Sequence, residues 1–199
     1  ALVSDAGTPG ISDPGARVVA AVRAAGHRVV PIPGACAAIA ALSAAGLADQ
    51  RFLFVGFLPS KTSQRRQAIA ELAGEPAALV IYEAPHRILE TVADLAETLP
   101  GERTVVIARE VTKLFETIHA LPLAEALAWL QADPNRQRGE FVLMISGATA
   151  SPADAEGERV LKLLLADGLP VKQAAKLAAA ISGGSKNELY QRALALRSE

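Results

Sequence analysis

Four short stretches gather residue types that suit chemistry. The first is DAGTPGISDPG, residues 5–15. It lies between an apolar run and a helical pattern, where the carboxyl end of a strand in an α/β sheet meets ligand. Asp5 can accept hydrogen bonds from a cationic or hydroxyl-bearing group. Gly7, Thr8 and Pro9 let backbone approach such a ligand closely. The stretch lacks the Gly-Lys-Ser/Thr of a phosphate loop, and Gly7, Gly10 and Gly15 do not fit a dinucleotide fingerprint. A plain capped turn remains open beside the ligand reading. The second stretch is PIPGACAAIAAL, residues 31–42, whose first helical amides are free to meet a polar group. Tight helix–sheet packing explains it equally, and Cys36 reads as a small packing residue.

The third stretch is YEAPHR, residues 82–87. Glu83, His86 and Arg87 supply an acid, an imidazole and a fixed cation, a set suited to proton transfer or substrate orientation. The expectation is that Glu83 and His86 face one cleft. The fourth combines Arg109, Glu110, Glu116 and His119, with a buried Arg–Glu pair as the structural alternative. Basic residues cluster twice more. Lys61, Arg65 and Arg66 read as an exposed basic loop, and the tail from Leu169 holds five basic against two acidic residues.

The positioning elements follow from periodicity. Ala1–Ser4 reads as the end of a buried strand, so the chain looks truncated at its N-terminus. Asp13-Pro14 reads as a helix start, with Val18, Val19 and Val22 on one face and Gly26 as the stop. RVVPIPG reads as a short strand, and residues 35–45 as a small-residue helix closed by Gly46. This βαβα order implies parallel pairing. RFLFVGFLP is apolar nearly throughout and reads as a strand buried on both faces. Strands are also expected at AALVIYEA, RTVVIARE, FETIHA and GEFVLMISG. A helix with Ile88, Leu89, Val92, Leu95 and Leu99 on its apolar face follows YEAPHR. The sum is a mixed sheet with helices on its faces. GATASPADAEGE, residues 147–158, reads as a linker, and three helices follow from Glu158. The last two, broken by Gly183-Gly184, read as a helix–turn–helix with Lys186, Asn187, Tyr190 and Arg192 on its second helix.

Composition bounds the function. In 199 residues the net charge is −1, so any RNA contact must use a local patch. One cysteine excludes an internal disulfide, and three scattered histidines argue against a zinc site. No apolar run is long enough to span a membrane.

In order and spacing, LVSDAGTPGISDPG, VVPIPGACAAIAALSAAGL, GFLPSKTSQRR, YEAPHRI, AREVTKLFETI and RGEFVLMISG resemble the tetrapyrrole methylase (class III methyltransferase) superfamily, and within it an RNA-modifying branch. The resemblance implies a two-domain α/β fold with a C-terminal helix-turn-helix-like extension. The domains would be residues 1–50, a remainder of the cofactor-binding domain, then 51–148 and 149–199. It implies S-adenosylmethionine in a cleft, without metal. The reaction would be methyl transfer to the ribose 2′-hydroxyl of a cytidine in small-subunit ribosomal RNA. Asp5, Gly7, Thr8, Pro9, Ala35, Cys36, Glu83, Ala108 and Gly139 would bind the cofactor. Glu83, His86 and Glu110 would be the catalytic candidates, and Lys61, Arg65, Arg66, Arg87, Lys186 and Arg192 the RNA contacts. A cytoplasmic homodimer acting on the small ribosomal subunit is the expected setting. Two alternatives stay open: a tetrapyrrole-type small-molecule methyltransferase, and a non-catalytic RNA-binding piece.

Overall fold

The computed structural model describes residues 1–148 and 152–196. They form two compact units, Ala1–Ala148 and Thr149–Glu199.

The first unit is built on a five-stranded sheet. Its strands are β1 (Phe52–Phe57), β2 (Ala78–Glu83), β3 (Thr104–Arg109), β4 (Thr117–Pro122) and β5 (Phe141–Ile145), in the order β1-β2-β5-β3-β4. Only β1 and β2 pair in parallel among these; the other pairings are antiparallel. Every residue of the central β5 is buried. Period-two alternation sorts its side chains between two layers. Phe141, Leu143 and Ile145 join Leu79, Ile81, Val105 and Ile107 on one face. That face is covered by α3 (Thr62–Glu71), α4 (Ile88–Thr98) and α5 (Leu123–Gln131). Val142 and Met144 join Val80, Val106 and Ala108 on the other, under α2 (Ala37–Ala45). The tiny side chains of α2 suit this place: Ala38, Ala41 and Ala45 are all buried against the sheet. Gly46, at φ 66°, closes α2 in the left-handed conformation.

Several sequence expectations are corrected. Ala1–Ser4 and residues 27–33 form no strands, so the parallel βαβα start does not exist among the described residues. No neighbouring strand pairs with these segments, and Val3, Val30 and Ile32 stay exposed. Helix α1 (Ala16–Ala24) is capped by Gly15 rather than Asp13, and none of its residues is buried. Strand β1 lies at the sheet edge, which leaves Phe52, Leu53 and Phe57 largely exposed. A bulge between Phe54 and Gly56 breaks its register, with Gly56 at φ 72°.

Buried charges join α3 to α4. Arg65, 1% exposed, donates from Nε to Asp94 at 2.5 Å, and Arg66 donates to the other Asp94 oxygen at 2.6 Å. The exposed basic loop is therefore corrected too: Arg65 is an interior cation on a helix.

The second unit comprises α6 (Pro152–Ala166), α7 (Val171–Ser182) and α8 (Lys186–Leu196). Val160, Leu161, Ala174, Ala175, Ala178, Leu189 and Ala193 form its core. Gly157 allows close packing: a Cβ there would come within 2.8 Å of Ser182 Oγ. Helix α6 begins at Pro152, inside the stretch read as a linker; residues 149–151 lie outside the described residues.

Candidate functional site

Strand ends and loops of the first unit enclose a cleft of about 340 Å³. One wall is the opening loop, with Gly7, Thr8, Ile11, Ser12 and Asp13, and the start of α2, with Cys36 and Ala37. The opposite side comes from the sheet: Phe57, Tyr82, Glu83, Glu110, Val111, Lys113, Glu140 and Val142. Two hydrogen bonds set the first wall. Thr8 Oγ1 donates to the Ala35 carbonyl at 2.8 Å, joining the opening loop to the segment before α2. The Ala38 amide donates to the Tyr82 hydroxyl at 3.0 Å, joining α2 to β2.

The rim is held by a charge cluster. Glu110 Oε1 accepts from Lys113 Nζ at 2.9 Å and from the Glu140 amide at 2.9 Å. Lys113 also donates to Glu140 at 2.7 Å. The Lys113 hydrogen bond, followed by the Glu140 amide, holds the Glu110 carboxyl below its usual range. Glu140, then Glu110, raises the Lys113 ammonium. Ser12 and Glu110, both cleft residues, take left-handed φ of 53° and 51°, as does Thr112 at 68°. Such strain persists only where surrounding contacts enforce it. A Cβ on Gly139 would lie 2.5 Å from the Glu110 side chain, so glycine makes room for this rim.

The sequence-derived site residues divide. Gly7, Thr8, Cys36, Glu83 and Glu110 meet at the cleft. Ala35 stands behind its wall through Thr8, Ala108 is buried beneath α2, and Gly139 supports Glu110. Asp5 and Pro9 are not among the lining residues, whereas Asp13 is. His86 is exposed and does not line the cleft with Glu83, which corrects the expectation that both face it. Alternation along β2 sends the Glu83 carboxyl to the α4 face. There it accepts from Thr91 Oγ1 at 2.6 Å and lies 3.3 Å from Arg87. Arg87 also donates to the carbonyls of Leu58 and Pro59, at 2.8 and 3.2 Å. Of Arg109, Glu110, Glu116 and His119, Arg109 and Glu110 interact through their charges, while Glu116 and His119 have other partners. Arg109 donates to the Arg138 carbonyl and Thr117, Glu116 accepts from the Thr112 amide, and His119 stacks on Trp129 at 4.5 Å. In the second unit Arg192 pairs with Glu158 at 2.8 Å, while Lys172, Lys176 and Lys186 are exposed.

Tyr82, Lys113 and Glu140 escaped sequence reasoning. Tyr82 carried a signal, a polar aromatic one residue before the strand end; the salt-bridged rim depends on a turn that no local pattern announces.

A strand-end cleft of this size, beside a strained and carboxyl-rich rim, suits a small organic ligand with a cationic part. Residues 1–127 match the family model for tetrapyrrole (corrin/porphyrin) methylases. The fold agrees: the methyltransferase CobJ superposes with a TM-score of 0.53 at 22% identity, over 71% of this chain and 62% of that one. The chain is thus a methyltransferase of the tetrapyrrole methylase class. Residues 151–197 match the RsmI C-terminal HTH domain. The ribosomal RNA small subunit methyltransferase I of Pseudomonas aeruginosa is 55% identical, over 98% of this chain and 70% of that protein. The protein of that name from Escherichia coli O157:H7 is 53% identical, over 98% of this chain and 68% of that protein. The chain belongs to the ribosomal RNA small subunit methyltransferase I family.

Proposed function

We propose that this chain methylates the ribose 2′-hydroxyl of a cytidine in small-subunit ribosomal RNA, using S-adenosylmethionine. The carrying observation is the cleft, which brings Thr8, Cys36, Glu83 and Glu110 together in a chain of this family. Its residues fit the cofactor. Asp13, Glu110 and Glu140 against the single ammonium of Lys113 favour a sulfonium cation, and Ile11, Phe57, Val111 and Val142 suit an adenosine moiety. S-adenosylmethionine supplies an activated methyl group when bound, so the protein's task is to align oxygen, carbon and sulfur. Gly7, Thr8 and Cys36 form the cofactor wall in this reading, with Asp5 and Pro9 in the same loop, Ala35 behind it, Ala108 beneath α2 and Gly139 supporting Glu110.

Glu110 is the residue we assign to the reacting groups. The hydrogen bonds from Lys113 and the Glu140 amide both use Oε1, and among the described residues no donor reaches Oε2. That oxygen can orient the ribose hydroxyl. The Glu83 carboxyl, turned to Thr91 and Arg87, braces the strand end. The RNA contacts would be Lys61, Arg66 and the exposed lysines of the second unit, Lys186 among them. Residues 1–50 would serve mainly the cofactor, 51–148 the reacting groups and 149–199 the RNA. The setting would be a cytoplasmic homodimer. Among the described residues, no helix is long and apolar enough to cross a membrane.

The test is transfer of tritiated methyl to small ribosomal subunits that lack the modification, with the label mapped by alkaline hydrolysis. A 2′-O-methylated cytidine resists cleavage on its 3′ side. Label on a base, or on a corrinoid precursor in preference to RNA, would overturn the reading.

A further inference from the structure

We propose that Tyr82 is a positioning residue that fixes the α2 wall of the cleft against the sheet, acting together with Thr8. The inference rests on the cofactor reading above.

Residues 1–36 contribute no strand to the sheet. Among the described residues, no backbone ladder ties this wall of the cleft to the sheet. Packing of α2 presses the wall down but is non-directional and leaves its register open. Two directed bonds supply what packing does not. The Ala38 amide donates to Tyr82 Oη at 3.0 Å, and Thr8 Oγ1 donates to the Ala35 carbonyl at 2.8 Å. In series they run from β2 through the start of α2 to the opening loop. The Tyr82 ring is itself oriented, standing edge-to-face with Phe54 at 5.1 Å and Phe57 at 5.8 Å. Burial pushes its phenol above the usual value, so the hydroxyl stays neutral across physiological pH. Its oxygen accepts from Ala38, and the other contact is long, to Cys36 Sγ at 3.9 Å. Removing the hydroxyl alone should therefore free the wall while leaving the ring's packing in place.

The experiment uses the full chain as Tyr82→Phe, Thr8→Val and the double variant. S-adenosylmethionine affinity is read by calorimetry, and amide exchange is followed at Ala38 and across the sheet. Losing one directed hydrogen bond should weaken binding about 3–10-fold in either single variant. The double variant should lose less than the product of the two, because both pins hold one wall. Exchange should quicken at residues 35–38 and not in β2, β3 or β5. In Tyr82→Phe the KM for S-adenosylmethionine should rise by a larger factor than kcat falls. Unchanged affinity and unchanged Ala38 exchange in Tyr82→Phe would overturn the proposal, and so would a uniform rise in exchange across the sheet. If the parent chain binds no S-adenosylmethionine, the cofactor reading falls, and exchange at Ala38 alone then decides the role of Tyr82.

Discussion

At Glu110 a single side chain joins backbone strain, charge and the cleft. Its left-handed φ of 51° is unfavourable for a residue with a Cβ, and the contacts to Lys113 and the Glu140 amide offset that cost. The pH dependence follows from the two shifts. Glu110 is lowered, so its contribution to stability is present above the unfolded value, about pH 4.3, and is lost as pH falls through the folded value. Lys113 is raised, so its contribution is complete below about pH 10.4 and is lost as pH rises through the folded value. The rim should hold between these limits and loosen outside them. Lys113→Ala removes the largest cause of the Glu110 shift. Titrating the Glu110 carboxyl carbon by NMR should show its midpoint moving up toward the ordinary carboxylate value. A midpoint unmoved by the substitution would show that the rim is held by backbone alone.

At the scale of elements, the α3–α4 junction depends on one buried carboxylate. Asp94, 2% exposed, faces Arg65, which is 1% exposed. Asp94→Ala removes the buried partner of that guanidinium, leaving it Glu90 at 3.4 Å and the Ser60 carbonyl at 3.3 Å, and should cost about 3 kcal/mol in urea unfolding. Asp94→Asn keeps an acceptor and should cost less; equal losses would mean that packing, not charge, is what Asp94 supplies. The pair was not legible in the sequence, where Asp94 lies beside the apolar stripe of Ile88, Val92 and Leu95 and Arg65 reads as exposed. Strands β2 to β5 and helices α2 and α4 were legible, because their patterns match the layers they occupy. Residues 27–33 were not. Their valines and isoleucines have strand propensity, but a strand exists only with a partner, and here none pairs with it. Burial of β1 was misjudged for a related reason: an apolar run does not reveal whether it will sit at a sheet centre or an edge. For the candidate site, Cys36 entered only through the family resemblance, whereas Glu83 and Glu110 were readable as acids at the ends of strands. The Lys113 bridge and the Tyr82 bond were not, since both link residues distant from any local motif.

At the scale of the whole molecule, chemistry is proposed for the first unit and RNA grip for the second. The second unit holds helices α6 to α8, with Gly183 at φ 74° ending α7, and is matched by an HTH family model. Arg192, engaged by Glu158, is less available for phosphate than Lys172, Lys176 and Lys186. Replacing those three lysines with alanine should weaken binding to a small-subunit RNA fragment across sequences. It should also flatten the slope of log affinity against log salt by about 2. An unchanged slope would assign the second unit to packing and move the RNA contact to Lys61 and Arg66.

The central claim is that the cleft between the opening loop, α2 and the strand ends holds S-adenosylmethionine. Calorimetric titration of the chain, with backbone NMR shifts recorded on the same sample, tests it most directly. The account predicts one site per chain, with shifts confined to Gly7–Asp13, Cys36–Ala38, Tyr82–Glu83 and the Glu110–Lys113 rim. Absence of binding, or saturable binding with shifts elsewhere, would contradict it.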